Sequence, residues 1–157
     1  LAEEHVGYGN LSVRTAGEGL FLVSGTQTGY LPNVGPEHFS LVTDFDIASN
    51  TLSCRGPVEA SSEALTHAAI YALDAAIRAV VHVHSAELWV GLKKSLPATG
   101  TGVAYGTPEM AIEFRRLYRD TDFSVGGVAR MSGHENGLVS TGRTVREAAE
   151  KILALSG

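Results

Sequence analysis

The chain has 157 residues, 44% hydrophobic and 18% charged, with a net charge of −5. That length carries one domain with its own core, expected to span residues 1–157, and the composition holds no sign of disorder. Lys and Arg cluster no further than the pairs Lys93-Lys94 and Arg115-Arg116, which argues against a nucleic-acid partner, and no apolar run approaches the roughly 18–20 residues of a membrane-spanning helix.

Taken in chain order, "NLSVRT", "AGEG" and "LFLVSG" (10–25) read as a β-hairpin, and the alternation Leu11-Ser12-Val13-Arg14 predicts a strand with one wet face. Residues 26–38 form a turn-rich loop with Gly29, Pro32, Gly35 and Pro36. "FSLVTDFD", "ASN" and "TLSCRG" predict a second hairpin. In "SSEALTHAAIYALDAA" (61–76), Leu65, Ala68, Ala69 and Leu73 share one helical face, with the serines suited to N-capping. A strand is expected over 78–84 and a helix over 86–93. Thr107 and Pro108 open a helix over 106–120 as N-cap and first helical residue. Residues 125–142 fit two short strands around a Gly-containing turn, and the capping box "TVRE" (144–147) starts a last helix running to about Leu155. The order predicts a three-layer α/β fold with a mixed, largely antiparallel sheet rather than a regular βαβ array. Cys54 is the only cysteine, so no internal disulfide is possible and a cytoplasmic setting is expected. No signal-peptide pattern is present. The chain opens on Leu1 rather than Met, and a truncated N-terminus is among the expectations.

The chemistry centres on "AVVHVHS" (79–85), an apolar strand carrying His82 and His84. Residues i and i+2 point to one face of a strand. Two neutral imidazoles crowded there need partners for four ring nitrogens, and two imidazolium ions would repel. A divalent metal taking one nitrogen from each ring resolves both problems. His134, in the loop "MSGHENG", is a candidate third ligand, and Glu63 a candidate fourth ligand or proton-transfer base. Three neutral ligands with an open position describe a catalytic metal site rather than a closed structural one. Metallohydrolase barrels that also begin with H-x-H are excluded by length. His67, one helical turn beyond Glu63, reads as a packed helix histidine, with orientation of Glu63 as the alternative.

The blocks "GNLSVR" (9–14), "TG" (28–29), "SSEALTHAAIY" (61–71), "AVVHVHS" (79–85) and "GHENGLVSTG" (133–142) resemble, in this order, the class II aldolase/adducin superfamily. Its members include metal-dependent sugar-phosphate aldolases and ribulose-phosphate 4-epimerases. The resemblance implies that His82, His84 and His134 bind Zn2+ or another divalent ion (Mn2+, Fe2+, Co2+ or Ni2+), with Glu63 as the catalytic acid/base. It implies that Asn10, Thr28, Gly29, Ser61 and Ser62 hold the substrate, a small hydroxy-carbonyl compound such as a sugar phosphate. Turn amides and a serine-rich helix start suit an anion, although Ser61 and Ser62 are equally suited to plain capping. The implied reaction is aldol cleavage through a metal-stabilised enediolate. Epimerisation, dehydration or decarboxylation, or a non-catalytic adducin-like binding module, are the alternatives. A homotetramer with interfacial sites is also implied. Three departures stand out: a short segment at 96–106, where Tyr105 is the available tyrosine; Gly7, where a hydroxyl residue is common; and two residues between His134 and Gly137.

Overall fold

The computed structural model describes residues 8–16 and 20–157; Gly7 and residues 17–19 of the expected first turn lie outside the described residues. Seven strands are described: β1 (Asn10–Arg14), β2 (Phe21–Ser24), β3 (Phe39–Asp46), β4 (Thr51–Arg55), β5 (Ala79–His84), β6 (Val128–Arg130) and β7 (Gly137–Gly142). They form one sheet in the order β4-β3-β2-β1-β5-β7-β6. Every pairing of these strands is antiparallel, and one parallel bridge joins Ala98 to Arg130. Five α-helices are described beside the sheet: α1 (Ala64–Tyr71), α2 (Ala86–Gly91), α3 (Pro108–Asp120), α4 (Phe123–Gly126) and α5 (Val145–Leu155). None is long and apolar enough to cross a membrane.

Strand alternation divides the core into two layers. Phe21, Val23, Val42, Val80, Ala129 and Val139 face one way and pack with Ala68 and Ile70 of α1 and with Met110, Phe114 and Leu117 of α3. Their neighbours Val83, Val128 and Leu138 face the other way, against Leu88 of α2 and Ile152 of α5. The three-layer α/β expectation is met.

Helix boundaries follow the capping chemistry. Thr107 Oγ1 accepts from Met110 N at 3.4 Å, and Thr144 Oγ1 accepts from Glu147 N at 3.0 Å. The predicted box at α5 closes differently, because the Glu147 carboxylate accepts from the Arg143 amide rather than from Thr144. The serines do not cap α1 as expected. The helix starts at Ala64 with Glu63 at the N-cap position and no side-chain cap bond, and it stops at Tyr71. Arg14 ends it by donating to the carbonyls of Tyr71, Asp74 and Ile77.

Two expectations are corrected by the position of α1. The helix lies between the sheet and α3, so seven of its eight residues are buried, and Leu65, placed on the inward face by periodicity, is the half-exposed one. The alternation of β1 is real, but its polar side is the inside. Ser12 is fully buried, whereas Leu11 and Val13 are half-exposed. The reason is that α1 brings its own polar stripe to meet β1. Ser12 Oγ lies 2.7 Å from His67 Nδ1 and 2.8 Å from Tyr71 Oη. Left unsatisfied, each such buried group would cost about 1–3 kcal/mol.

Burial pushes His67 down from its ordinary value of 6.5 to about 3. The folded protein keeps this ring neutral while the unfolded chain protonates it, so the unfolded state binds more protons between those two values. The associated stability is complete above the ordinary value and is lost as pH falls toward the folded one, by at most about 1.4 kcal/mol per pH unit. Chemical denaturation between about pH 7 and 4 should therefore show a shallower decline for His67→Gln than for the wild type; parallel curves would refute this assignment.

Candidate metal centre

β5 lies between β1 and β7, and its register places His82 opposite Asn10 on one side and Val139 on the other. His82 is 1% exposed. Its Nδ1 sits 3.0 Å from the Leu138 carbonyl, which can only accept, so Nδ1 carries the proton and the Nε2 lone pair points into the site. That nitrogen is buried without a hydrogen-bond donor to satisfy it. The group nearest it is the Glu63 carboxylate, with Oε2 at 3.1 Å. When ionised, that carboxylate cannot donate and two lone pairs meet there; when protonated, it donates to Nε2.

His84 lies two residues further on β5, and His134 enters from the turn joining β6 to β7. The His134 and His84 Nε2 atoms are 2.7 Å apart. One ligand nitrogen from each of His82, His84 and His134 falls within 4.8 Å of the others. Burial lowers all three histidines. His82 is held well below 6.5, with repulsion from His84 and His134 added to burial, and His134 is held at about 4 by burial and then by His84. At 2.7 Å one of the His84 and His134 Nε2 atoms donates to the other, and a tautomer shift that frees this proton leaves three neutral imidazoles, a donor set suited to a divalent ion. The buried His82 Nε2 beside the Glu63 carboxylate is the strongest sign, since one cation satisfies the imidazole and the ionised carboxylate together.

The turn that delivers His134 depends on Gly137. A Cβ there would lie 2.6 Å from His134 Cδ2 and 3.1 Å from His82 Cε1. The residue following the turn must therefore be glycine if the two rings are to approach.

Glu63 is 6% exposed, and burial raises its carboxyl from 4.5 to about 7, an effect opposed by the hydrogen bond from Asn10. Asn10 Nδ2 donates to Glu63 Oε2 at 2.7 Å. A cavity of about 190 Å³ opens over these groups, lined by Asn10, Ser61, Ser62, Glu63, His84 and His134, and also by Tyr8, Thr26, Gln27 and Tyr105.

Not every residue named from the sequence lies in this cavity. Thr28 and Gly29 line an adjoining, larger cavity of about 340 Å³, which Asn10, His82 and His84 also line. The Thr28 hydroxyl is committed to the Gly25 carbonyl at 2.8 Å. Thr26 and Gln27 of the same loop line the smaller cavity with His84 and His134, with Gln27 in the left-handed region at φ 55°. Tyr8 stacks on His84 at 4.7 Å between ring centroids, and Tyr105 meets His134 edge-on at 4.4 Å. Tyr105 is held there by Gly106, whose backbone at φ 65° packs on the Ser62 carbonyl. Nothing in the local sequence signals Tyr8, which reaches the site only because β1 lies beside β5.

A three-layer antiparallel α/β domain with a His₃ cluster and an adjacent buried glutamate is the class that fold and site define. The sequence profile of the Class II Aldolase and Adducin N-terminal domain matches residues 4–156, and the chain belongs to that family. Among solved structures, YgbL from Escherichia coli superposes with a TM-score of 0.70 at 21% identity, covering 96% of this chain and 75% of that one. An L-fuculose 1-phosphate aldolase gives 0.69 at 19% identity, with 96% and 74% covered. The L-fuculose-1-phosphate aldolase of Thermus thermophilus gives 0.63 at 21% identity, with 96% and 80% covered. At these identities the likeness is one of fold. No curated protein matches the chain by sequence.

Gly137→Ala should lower affinity for divalent zinc by about 10–100-fold, as loss of a ligand's supporting shell does. Isothermal titration calorimetry would measure this alongside a thermal melt. Unchanged affinity in a folded variant would show that the His134 ring does not depend on this contact.

Proposed function

We propose that the protein is a divalent-metal-dependent lyase of the aldolase type, acting on a small hydroxy-carbonyl compound that carries a phosphate or similar anion. The observation that carries the reading is the cluster of three histidine nitrogens with the Glu63 carboxylate 3.1 Å from one of them. His82, His84 and His134 are the proposed ligands, and zinc is the ion their donor set suits best. When bound, the ion supplies a Lewis acid for negative charge developing on neighbouring substrate oxygens.

Glu63 holds and moves the proton. A carboxyl raised to about 7 is present in both forms near neutral pH, the condition for an efficient acid/base. In the cleavage direction the C–C bonding electrons pass to the carbonyl-bearing fragment, the hydroxyl proton passes to solvent water as the aldehyde forms, and protonated Glu63 delivers its proton to the carbon and is reprotonated from solvent. Ser61 and Ser62 line the cavity where the α1 chain begins, and with Asn10 they are the proposed hold on the anionic group. Thr28 and Gly29 keep their proposed part in holding the substrate, from the adjoining cavity they line with Asn10, His82 and His84. Tyr8 and Tyr105 flank the entrance and limit water access. A homotetramer remains a proposal, supported by the two exposed tyrosines beside the site, which a neighbouring subunit could cover.

A non-catalytic module has no use for an unsatisfied buried imidazole nitrogen, which favours the enzyme reading. Elemental mass spectrometry of purified protein should find about one divalent ion per chain, lost in a His82→Ala/His84→Ala double variant. With metal restored, deuterium exchange into dihydroxyacetone phosphate and related hydroxy-carbonyls should fall by about 10²–10⁴-fold in Glu63→Gln. Metal binding without exchange on any such compound would sink the aldolase assignment and leave a metal-binding domain.

A further inference from the structure

The buried polar stripe between β1 and α1 runs to Glu63. On β1, Asn10 and Ser12 share a face; on α1 and its N-cap, Glu63, His67 and Tyr71 fall four residues apart and share another. Interleaved, they form one file of hydrogen bonds. Tyr71 Oη is 2.8 Å from Ser12 Oγ, Ser12 Oγ is 2.7 Å from His67 Nδ1, His67 Nε2 is 2.5 Å from Asn10 Oδ1, and Asn10 Nδ2 is 2.7 Å from Glu63 Oε2.

The donor assignments along this file are forced. The amide of Asn10 gives its N–H to Glu63, so only its carbonyl oxygen faces His67. His67 Nε2 must then carry the proton. A neutral imidazole has one N–H and one lone pair, so Nδ1 accepts from the Ser12 hydroxyl. Ser12, having donated, accepts from Tyr71. Every donor in the file points toward Glu63.

We propose that His67 is a positioning residue that sets the orientation of the Glu63 carboxylate through Asn10, with Ser12 and Tyr71 fixing the imidazole tautomer that this requires. The file holds Glu63 by Oε2, the oxygen that also faces His82, and leaves Oε1 without a protein hydrogen bond among the described residues. The free oxygen is the one presented to a substrate. Burial keeps His67 neutral, so it serves as an oriented dipole and not as a second acid or base. The inference rests on the acid/base role proposed for Glu63, yet its geometry can be tested apart from that role.

The test has two arms, both on the zinc-loaded chain. In the first, ¹⁵N NMR of histidine-labelled protein reads the His67 tautomer. The Nε2–H form is expected in the wild type, with the preference collapsing in Asn10→Leu; the opposite tautomer, or one indifferent to Asn10→Leu, overturns the proposal. In the second arm, His67→Gln keeps a donor where Nε2 stands, whereas His67→Asn keeps one only where Nδ1 stands. The Asn variant should lose about 10–100-fold in kcat for deuterium exchange with KM little changed, and the Gln variant should recover most of it. Equal losses in the two variants would mean simple packing and overturn the proposal. Thermal melts identify a variant that fails to fold, and Ser12→Ala then replaces it, with a smaller loss of the same kind expected. A wild type without exchange activity would count against the proposed reaction, while the tautomer arm still decides the positioning role.

Discussion

Buried hydrogen-bonding capacity must be met, and in this fold that demand joins β1 to α1. Asn10, Ser12 and Arg14 of a central strand are paired with Glu63, His67, Tyr71 and the last carbonyls of the helix. Each side would be costly to bury alone. Together they fix the height and rotation of α1 over the sheet, and so the place of Glu63 at its start. Apolar packing by Ala68, Ile70, Phe114 and Leu117 holds the layers together, but it could tolerate small sliding of the helix in a way that directed hydrogen bonds do not.

The second constraint is electrostatic. His82, His84 and His134 are close enough that protonation of one disfavours the others, and burial pushes in the same direction. The result is a cluster of neutral imidazoles facing a carboxylate. Such an arrangement is poor as an isolated hydrogen-bonding group and good as a ligand set. The backbone contribution is equally specific: the antiparallel register of β5 with β7 aligns His84 with Gly137, and the missing side chain there admits the His134 ring.

Much of this is legible in the sequence because it is local. Thr107-Pro108 and Thr144 mark helix starts by chemistry confined to one turn, and H-x-H marks one strand face by its period of two. The histidines and Glu63 come together as the spacing suggests, and the sheet is as antiparallel as the short, turn-separated strands imply. The misreadings are non-local. The polar face of β1 looks like a solvent face until a helix some fifty residues later supplies partners, since the Asn10–Glu63 separation is 53 residues. Ser61 and Ser62 look like caps, but the backbone of Ser61 is already paired with Ser24, which delays the helix to Ala64.

The strand order has a further consequence for how the site comes into being. β1, near the start of the chain, is completed on one side by β2 but on the other only by β5, and β5 in turn needs β7. The groups that meet in the cavity, Asn10, Glu63, His84 and His134, span most of the sequence, and no short fragment contains them. Closure entropy must be overcome before these long-range pairings reward the chain. The centre is therefore a product of the closed sheet, and it is incomplete until β7 has paired with β5.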